Sequence, residues 1–366
     1  MKFVNKYLRN LAPYKVASHK VWEVDAKERK QILKLDWNEA TLCPSPKVKE
    51  ALKELVENEE TYYLYPSTNN VELLNLLADY TKASVDNIQY FASSDALHEY
   101  LVRMYVGVGD PILILGPTYD NFRLTCESQG GQVFFFEYEK DFSFDAVAFD
   151  KKIQETSPSL IYICNPNNPS GNLIEPAFII ELLEKYPDTI ILIDEAYYEF
   201  SKQTMSSFVN KYYNLFVTRT FSKAFGLANF RAGYLISHPE NIKQISKIRN
   251  PKNFTTFTQV AITAALKDTA HMEAYVDEVL KAREIFANNL KSLSYIKDVF
   301  ESHGNFLLVN FINEEVKNNI FNELAKNSIY VRNLTHSELL INALRITIGT
   351  REQMERVFAV FKEFKA

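Results

Sequence analysis

Two apolar runs decide the fold of this chain: LIYIC at residues 160–164 and TIILID at residues 189–194. Neither run alternates polar with apolar residues, and such continuous runs are typical of strands buried on both faces of a parallel sheet. Helix-like sequence separates the two runs, and this alternation predicts a mostly parallel sheet covered by helices. The rest of the chain extends this pattern in both directions.

Alternating strand-like and helix-like segments continue from about residue 45 to residue 240. The seven predicted strands are Ile88–Phe91, Pro111–Leu115, Val133–Glu137, Leu160–Cys164, Thr189–Asp194, Leu215–Thr220 and Ala232–Ile236. Beyond residue 240, residues 257–293 have the apolar spacing of one or two long helices, and strand-like segments follow at 306–311 and 343–349. The predicted fold class is therefore α/β, with a mostly parallel seven-stranded sheet and a smaller C-terminal α+β domain.

The predicted domain limits follow from this change of pattern. Residues 1–45 form an N-terminal arm and part of the smaller domain, residues 46–245 form the large α/β domain, and residues 246–366 form the smaller domain. A chain of 366 residues is long enough for two or three structural units. Hydrophobic residues make up 46% of it and charged residues 24%, which is typical of globular proteins and not of disordered ones.

Charge and glycine content exclude several classes of function. Lys and Arg total 41 against 46 Asp and Glu, a net charge of −5 that lacks the basic excess of a nucleic-acid-binding protein. Only 10 residues are glycine, about 3% where about 7% is usual. Neither a GxGxxG nor a GxxxxGK[ST] pattern occurs, so the usual dinucleotide and nucleoside-triphosphate loops are excluded. Any phosphate must be bound in another way.

The cysteines and the N-terminus predict a cytoplasmic protein. Cys43, Cys126 and Cys164 lack the spacing of a zinc site or a disulfide framework, so we expect free thiols and no metal. The N-terminal sequence carries charges every few residues, unlike a secretory signal. The sequence also lacks an apolar run of about 20 residues, the length needed to span a membrane. We therefore expect neither a membrane nor a nucleic acid as partner.

Chemically interesting residues follow several predicted strands, and ligands of open parallel sheets bind beyond those strand ends. In FASSDALHEY, residues 91–100, Ser94 and Asp95 stand where a helix begins, and the first N–H groups of a helix bind anions. In ICNPNNPSGN, residues 163–172, two Asn-Pro pairs favour a tight loop from which Asn168 projects. Taken alone, the first segment is better explained as an ordinary capped helix start and the second as an ordinary turn.

Two later strand ends carry ionisable groups. Asp194 ends an apolar strand, where a carboxylate needs a partner; that partner is a cofactor, a structural ion pair or a metal. Lys223 follows the strand at 215–220 within a run of Phe, Ala and Leu. Desolvation there would lower its pKa and give a nucleophilic amine suited to a Schiff base. Ser222 and Arg231 flank this lysine with a hydroxyl and a guanidinium suited to a phosphate.

Taken together and in order, these motifs resemble those of fold-type I pyridoxal-phosphate enzymes, most closely the class I/II aminotransferases and their histidinol-phosphate aminotransferase branch. The segments that carry the resemblance are LYPS at 64–67, SSD at 93–95, GPTY at 116–119, NPNNPSG at 165–171, DEAYYEF at 194–200, SKAFGLANFRAGY at 222–234 and LRITIGT at 344–350. They extend over essentially the whole chain. The resemblance implies pyridoxal 5'-phosphate as cofactor and transfer of an amino group between an amino acid and a small, phosphorylated compound.

The resemblance also implies a role for each matching residue. Lys223 would form the Schiff base and then move the substrate proton, and Asp194 would pair with the pyridine nitrogen of the cofactor. The residues implied around the rest of the cofactor are Asn168 and Tyr197 at the ring 3-oxygen, Tyr119 on the ring face, and Ser94, Asp95, Ser222 and Arg231 at the phosphate. Tyr65 would reach that phosphate from the second subunit of a homodimer. Arg345 would receive the anionic group of the substrate.

The sequence departs from the family near the expected substrate site. Where histidinol-phosphate aminotransferases usually have NENP, this chain has Asn38 and Glu39 followed by Ala40 and Thr41. Ser93 stands where a glycine is usual, and Ala96 replaces the glutamate that usually follows Asp95. Asn38 and, from the N-terminal segment, Tyr14 remain candidate substrate contacts. These departures leave the identity of the substrate open.

Three activities are compatible with the same cofactor residues. Transamination is the commoner chemistry of the branch. A decarboxylase of phosphoserine or phosphothreonine would use the same lysine, aspartate and arginine. A cofactor-binding regulatory domain without catalysis is a more distant alternative, because the catalytic residues are present and a basic DNA-binding segment is not.

Overall fold

The computed structural model describes residues 4–9, 11–13, 20–335 and 337–365. Its strands are β1 Leu33–Leu35, β2 Ile88–Phe91, β3 Pro111–Gly116, β4 Gln132–Glu137, β5 Leu160–Cys164, β6 Ile190–Asp194, β7 Leu215–Thr220, β8 Gly233–Ser237, β9 Ile296–Val299, β10 Phe306–Phe311, β11 Ile329–Asn333 and β12 Ala343–Thr347. The seven strands predicted between residues 88 and 236 are all present, with ends that differ by one residue at most.

The helices fill the intervals between these strands. They are α1 Lys20–Glu23, α2 Ala26–Arg29, α3 Pro46–Glu57, α4 Glu60–Tyr63, α5 Val71–Thr81, α6 Ser94–Tyr105, α7 Asn121–Gln129, α8 Ala146–Thr156, α9 Pro176–Lys185, α10 Tyr198–Ser201, α11 Pro239–Ser246, α12 Thr256–Leu266, α13 Thr269–Lys291, α14 Glu314–Lys326 and α15 Arg351–Glu363. The helical pattern predicted over 257–293 therefore forms two consecutive helices, α12 and α13.

Local sequence explains where many helices begin. Proline occupies the first turn of α3, α9 and α11, where its missing N–H costs no hydrogen bond. Asp145 accepts a hydrogen bond from the Ala148 N–H at the start of α8. At α15, Thr350 and Gln353 each bond the other's backbone N–H, forming a capping box.

The larger sheet has the strand order β2-β8-β7-β6-β5-β3-β4. Strands β3 to β7 pair in parallel, whereas β8 runs antiparallel to both of its neighbours. Every residue of β5 and β7 is buried, which explains the continuous apolar sequence of β5. The prediction of a mostly parallel, helix-covered sheet of seven strands is confirmed.

The smaller sheet has the order β1-β11-β12-β10-β9. The sequence predicts two of its strands, β10 and β12, and misses the other three. β1 has only three residues and pairs in parallel with β11, which lies almost 300 residues further along the chain. Helices α13, α14 and α15 pack on this sheet and on one another. Because β1 belongs to it, the N-terminal part of the chain contributes to the smaller sheet, while the exact domain limits stay a prediction.

Helix α12 follows the predicted limit at residue 245, yet it packs against α3 and α5. These two helices precede the first strand of the larger sheet.

No helix in the described ranges is long and apolar enough to cross a membrane.

Candidate active site

The parallel pairing of β5, β6 and β7 brings three candidate residues to one edge of the larger sheet. Asp194, the last residue of β6, pairs with Cys164 on one side and Thr218 on the other. Asn168 lies in the loop that follows β5, and Lys223 lies just after β7. The sheet therefore brings together residues that are separated by up to 55 positions in the sequence.

Lys223 has the surroundings of a nucleophilic amine. Its Nζ donates a hydrogen bond to the backbone oxygen of Trp37 at 2.9 Å and lies 5.7 Å from the ring centre of Tyr197. Burial, and then the positive charge of Arg345, lower the pKa of Lys223 from 10.5 to about 8. A substantial fraction of this amine is therefore neutral near physiological pH, as attack on an aldehyde requires.

Asp194 is buried, with 4% of its surface exposed, and both of its carboxylate oxygens accept hydrogen bonds. The Tyr162 hydroxyl donates to Oδ2 at 2.8 Å, and the Ala196 N–H donates to Oδ1 at 3.1 Å. The next residue, Glu195, forms a fully buried ion pair with Arg219 at 2.9 Å. The structural ion pair that the sequence left open at this strand end is thus made by Glu195, and Asp194 is held instead by two neutral donors.

The smaller sheet meets this edge through β12. Arg345 Nη1 donates to Asn168 Oδ1 at 2.6 Å. Asn38 Nδ2 donates to the Tyr197 hydroxyl at 3.0 Å, and Asn38 Oδ1 accepts from Thr347 at 3.0 Å. Four of the predicted site residues, Asn38, Asn168, Tyr197 and Arg345, therefore form one layer of hydrogen bonds that joins the two sheets.

The residues predicted to bind phosphate lie together at the start of α6. Arg231 Nη1 lies 3.5 Å from Ser222 Oγ, and Arg231 Nη2 lies 3.3 Å from Asp95 Oδ2. Ser94 is the first residue of the helix, and the Ser93 hydroxyl accepts from the Ala96 N–H at 3.1 Å. A twelve-residue helix with a guanidinium and a hydroxyl beside its first turn is well suited to bind a phosphate.

Backbone geometry explains why glycine is usual at position 93. Ser93 has φ of 99° and ψ of 160°, a conformation that costs a side-chain-bearing residue about 1–3 kcal/mol. Close packing confines the neighbouring backbone, because a Cβ on Gly233 would lie 2.5 Å from the Ser94 nitrogen. The chain therefore keeps the turn geometry at Ser93 despite the substitution.

Three tyrosines of the predicted site differ in what the structure shows of their surroundings. Tyr119 is half-buried in the turn after β3, at the same end of the sheet as Asp194. Tyr65 is 75% exposed, and Lys252 Nζ lies 4.2 Å from its ring centre. Tyr14 lies outside the described residues.

Sequence reasoning missed several residues of this site. Trp37 contributes only its backbone oxygen, which no side-chain motif reveals. Tyr162 is hidden in an apolar strand sequence. Arg332 of β11 pairs directly with Arg345 of β12, and residues opposite each other on antiparallel strands share a face. An arginine within the strand-like sequence IYVRN was the available signal for Arg332.

The residues of the site fit pyridoxal phosphate. A lysine amine of lowered pKa, a buried carboxylate, an amide, a phenol and a helix start with an arginine correspond in kind to its aldehyde, ring nitrogen, ring oxygen and phosphate. Among the described residues no cluster of three His, Cys, Asp or Glu side chains could hold a metal ion. Fold and site together define a pyridoxal-phosphate-dependent enzyme of fold type I.

Comparison with known proteins identifies the family. A family model described as aminotransferase class I and II matches residues 30–361, and the chain belongs to this family. It is 41% identical to a dihydroxyacetone phosphate transaminase of Campylobacter jejuni, over 98% of this chain and 96% of that protein. It is 31% identical to a histidinol-phosphate aminotransferase of Ruminiclostridium cellulolyticum, over 96% of this chain and 95% of that protein.

Solved structures agree on the fold. A histidinol-phosphate aminotransferase from Sinorhizobium meliloti, in complex with pyridoxal 5'-phosphate, superposes with a TM-score of 0.86 at 23% identity, covering 98% of this chain and 97% of that one. The chain is a pyridoxal-phosphate-dependent aminotransferase, and the predictions of fold class, cofactor and enzyme class are confirmed. An L-threonine-O-3-phosphate decarboxylase from Porphyromonas gingivalis shares the fold, with a TM-score of 0.76 at 21% identity over 90% of this chain and 98% of that one.

Proposed function

We propose that this aminotransferase transfers an amino group between an amino acid and a small phosphorylated ketone, with dihydroxyacetone phosphate as the candidate acceptor. The observation that carries the proposal is the pairing of Arg332 with Arg345 beside the Asn168 loop. Residues opposite each other on antiparallel strands share a face, so this face of the smaller sheet carries two guanidinium groups. A phosphate and a carboxylate are the anions that guanidinium groups bind best.

Both half-reactions of transamination need such an anion site. The amino-acid donor brings a carboxylate, whereas the proposed acceptor brings a phosphate and no carboxylate. Guanidinium groups suit either anion, because each presents several N–H donors in a rigid plane. The same pair of arginines can therefore bind both substrates in turn.

Similarity favours a small acceptor. The dihydroxyacetone phosphate transaminase is 41% identical to this chain, against 31% and 33% for two histidinol-phosphate aminotransferases. The chain also departs from the NENP segment of the latter at Ala40 and Thr41. Both Ala40 and Thr41 lie close to Asn38, whose side chain contacts Tyr197 and Thr347 in the site.

The geometry supports specific roles for the cofactor residues. The cofactor supplies an electron sink for the negative charge that forms on the substrate carbon. Lys223 Nζ would first bind the cofactor covalently and later carry the substrate proton. Asp194 would hold the proton on the ring nitrogen. Asn168 accepts from Arg345 through its oxygen, which leaves its NH₂ group to donate to the ring oxygen.

The remaining contacts follow in the same way. Tyr197 accepts from Asn38, so its own O–H can donate to the ring oxygen, and burial raises the pKa of Tyr197, which keeps that proton in place. Ser94 and Asp95 would supply backbone N–H groups to the phosphate, with side-chain contacts from Ser222 and Arg231. Tyr119 would stack on the ring. Asn38 and Arg345 would contact the substrate.

The test uses the purified holoenzyme and absorption spectroscopy. Glutamate should convert the cofactor to its amino form, and dihydroxyacetone phosphate should restore the original spectrum. Histidinol phosphate and O-phosphothreonine serve as comparison substrates. Release of carbon dioxide from O-phosphothreonine without conversion of the cofactor would overturn the proposal in favour of a decarboxylase. Efficient conversion of the cofactor by histidinol phosphate, with no restoration of the spectrum by dihydroxyacetone phosphate, would overturn the choice of acceptor.

We also propose a homodimer in which Tyr65 completes the site of the other subunit. Residues 62–65 read YYLY, and these four side chains are between 56% and 75% exposed. A contiguous apolar surface of this kind is typical of a protein interface.

The three thiols, Cys43, Cys126 and Cys164, are all free, which supports a reducing compartment, the cytoplasm.

Mixed dimers test the shared site. Lys223→Ala and Tyr65→Phe each impair every site of their own homodimer. A mixed dimer contains one site with an intact Lys223 and an intact Tyr65, so equal mixing should restore about a quarter of wild-type activity if subunits exchange freely. Activity no higher than the average of the two separate variants would contradict the shared site.

A further inference from the structure

Tyr162 contacts Asp194 from the neighbouring strand, and no motif draws attention to it. It is the central residue of β5 and is completely buried. Its hydroxyl donates a hydrogen bond to Asp194 Oδ2 at 2.8 Å. A buried hydroxyl on a buried carboxylate forms a charge-assisted hydrogen bond, which is stronger than one between neutral groups.

Strand register explains how the two side chains meet. Tyr162 pairs with Leu192 and Cys164 pairs with Asp194. Side chains two residues apart on a strand share a face, so Tyr162 and Asp194 lie on the same face of the sheet, one step apart along the strands. A phenol is long enough to bridge that diagonal.

The Tyr162 ring has little freedom to move. It stacks on Phe122 with ring centres 4.3 Å apart and planes 13° apart. His98 meets it edge-on at 5.8 Å, and the same histidine lies 3.1 Å from the Thr218 hydroxyl on β7. Burial, and then the negative charge of Asp194, raise the pKa of Tyr162 well above its usual value, so the hydroxyl stays protonated and remains a donor.

Two fixed donors therefore define the orientation of the carboxylate. The Ala196 N–H binds Oδ1 at 3.1 Å, from the backbone just after β6, and Tyr162 binds Oδ2 from the neighbouring strand. A carboxylate oxygen has two lone-pair directions, so each oxygen keeps one for a further partner.

We propose that Tyr162 is a positioning residue of the transamination: together with the Ala196 N–H, it fixes the orientation in which the Asp194 carboxylate would pair with the cofactor's ring nitrogen. The inference rests on the proposed role of Asp194. It differs from that role because Tyr162 itself touches neither cofactor nor substrate and acts through the carboxylate alone.

Tyr162→Phe tests this directly, since it removes one oxygen and leaves the stacked ring. We expect kcat to fall about tenfold or more, in line with the loss of a hydrogen bond to a charged group, and KM for both substrates to change little. The dissociation constant of the cofactor should rise by a similar factor. The absorption maximum of the bound cofactor should shift, a change that loss of packing alone would not produce.

Tyr212→Phe is the matched control. The Tyr212 hydroxyl also donates to a carboxylate, that of Glu184 at 2.6 Å, but Tyr212 precedes β7 and so lies at the opposite end of the sheet. Its removal should change thermal stability at most, with wild-type kcat, cofactor affinity and absorption spectrum.

Phe122→Leu provides a second probe, because it loosens the Tyr162 ring and keeps the hydroxyl. We expect kcat and cofactor affinity to fall in Phe122→Leu, but by less than in Tyr162→Phe. This variant also tests the proposal if Tyr162→Phe folds poorly.

Asp194→Ala separates this inference from the proposed site. In that background Tyr162→Phe should not change the cofactor dissociation constant further, because the carboxylate through which it acts is gone. A wild-type kcat and cofactor affinity in Tyr162→Phe, together with loss of both in Asp194→Ala, would overturn the inference alone. Wild-type cofactor affinity in Asp194→Ala would overturn the role of Asp194 and the inference with it.

Discussion

The two sides of the cleft are built from the sequence in different ways. On the larger sheet, Asp194 ends a strand, and Lys223 and the start of α6 come shortly after one, so local motifs position them. On the smaller sheet, Arg345 and Asn38 meet through contacts between segments about 300 residues apart, such as the Asn38 N–H bond to Thr347. The residues proposed to bind the cofactor are thus mainly local features of one sheet, and those proposed to bind the substrate depend on how the smaller sheet packs against it.

This difference has a chemical consequence. The cofactor chemistry is common to the whole family and needs one fixed arrangement at the strand ends. Substrate choice requires only that the smaller sheet and the segment around Asn38 present different groups to the same reactive centre. Variation at Ala40 and Thr41 beside an intact DEAYYEF motif is consistent with this division. The predictions below test it, from the largest expected effect to the smallest.

Lys223→Ala should abolish function on the cofactor side of the cleft. We expect transamination to fall by about 10³-fold or more, since covalent attachment and proton transfer are both lost. The visible absorption band of the bound cofactor should disappear in the same variant. A band that persists in Lys223→Ala would show that another amine holds the cofactor.

Arg219→Met tests whether the cofactor side depends on its buried ion pair. Arg219 and Glu195 are each 1% exposed, and loss of one partner of such a pair typically costs about 3–5 kcal/mol. Burial raises the pKa of both Glu195 and Glu199, which shows how poorly this interior tolerates unpaired carboxylates. Denaturant unfolding measures the loss.

Lys211→Met is the control for that experiment. Lys211 pairs with Glu184 at 3.2 Å, but both side chains are more than half exposed, so its loss should cost at most about 1 kcal/mol. Equal losses in the two variants would mean that the buried pair does not stabilise the cofactor side of the cleft.

Arg345→Gln should weaken substrate binding, whereas Arg231→Gln should weaken cofactor binding. Loss of the Arg345 charge should raise KM for glutamate and for dihydroxyacetone phosphate by about 10–100-fold, as expected for a charge-assisted bond, with little change in cofactor affinity. Arg231→Gln should weaken cofactor binding and leave the substrate KM of the fully loaded enzyme nearly unchanged. Kinetics at saturating cofactor, together with equilibrium dialysis, distinguish the two. If both variants lose cofactor and substrate binding equally, the division between the two sides is wrong.

The pH dependence of the cofactor-free protein gives the smallest expected effect. The folded pKa of Lys223, about 8, lies below the value of 10.5 for a free lysine, so the folded chain binds fewer protons between these pH values. The free energy of unfolding therefore rises with pH across this window, and below pH 8 the folded state bears the full cost of a buried ammonium.

Lys223→Met removes that cost and keeps the shape of the side chain. It should stabilise the cofactor-free protein by about 1–2 kcal/mol at neutral pH, which is less than the pKa shift alone implies because the lysine side chain is partly exposed to solvent. This gain should shrink towards zero as the pH approaches 10.5. Denaturant unfolding at several pH values measures it. An equal gain at every pH would show that the lysine is not ionised differently in the folded state.

Much of the cofactor side can be predicted from the sequence. The run TIILIDEAYYEF shows a buried strand that ends in a carboxylate, and the run around Lys223 shows an amine in apolar surroundings. These signals are local, because a strand and the residues that follow it are adjacent in the chain. Three strands of the smaller sheet were missed for the opposite reason: β1, with three residues, is stabilised by its pairing with β11 and has too short a pattern to recognise.

Individual residues show the same limit. Tyr162 is apolar in sequence pattern and becomes the partner of Asp194 only because strand register places it one step away. Trp37 contributes a backbone oxygen to Lys223, and every residue has one, so the sequence contains no signal for that contact. Arg332 was visible as an arginine in a strand but acquires meaning only from its position opposite Arg345.

By itself, therefore, the sequence determined the parallel sheet, the order of reactive residues at its edge and the family to which they point, because apolar periodicity and motif spacing are properties of neighbouring residues. Tertiary structure alone decided which carboxylate of the Asp194–Glu195 pair is buried in an ion pair, which donors hold the other, and which arginines lie opposite each other on neighbouring strands of the smaller sheet. Those outcomes depend on register and on packing between distant segments, and neither is written in the order of adjacent residues.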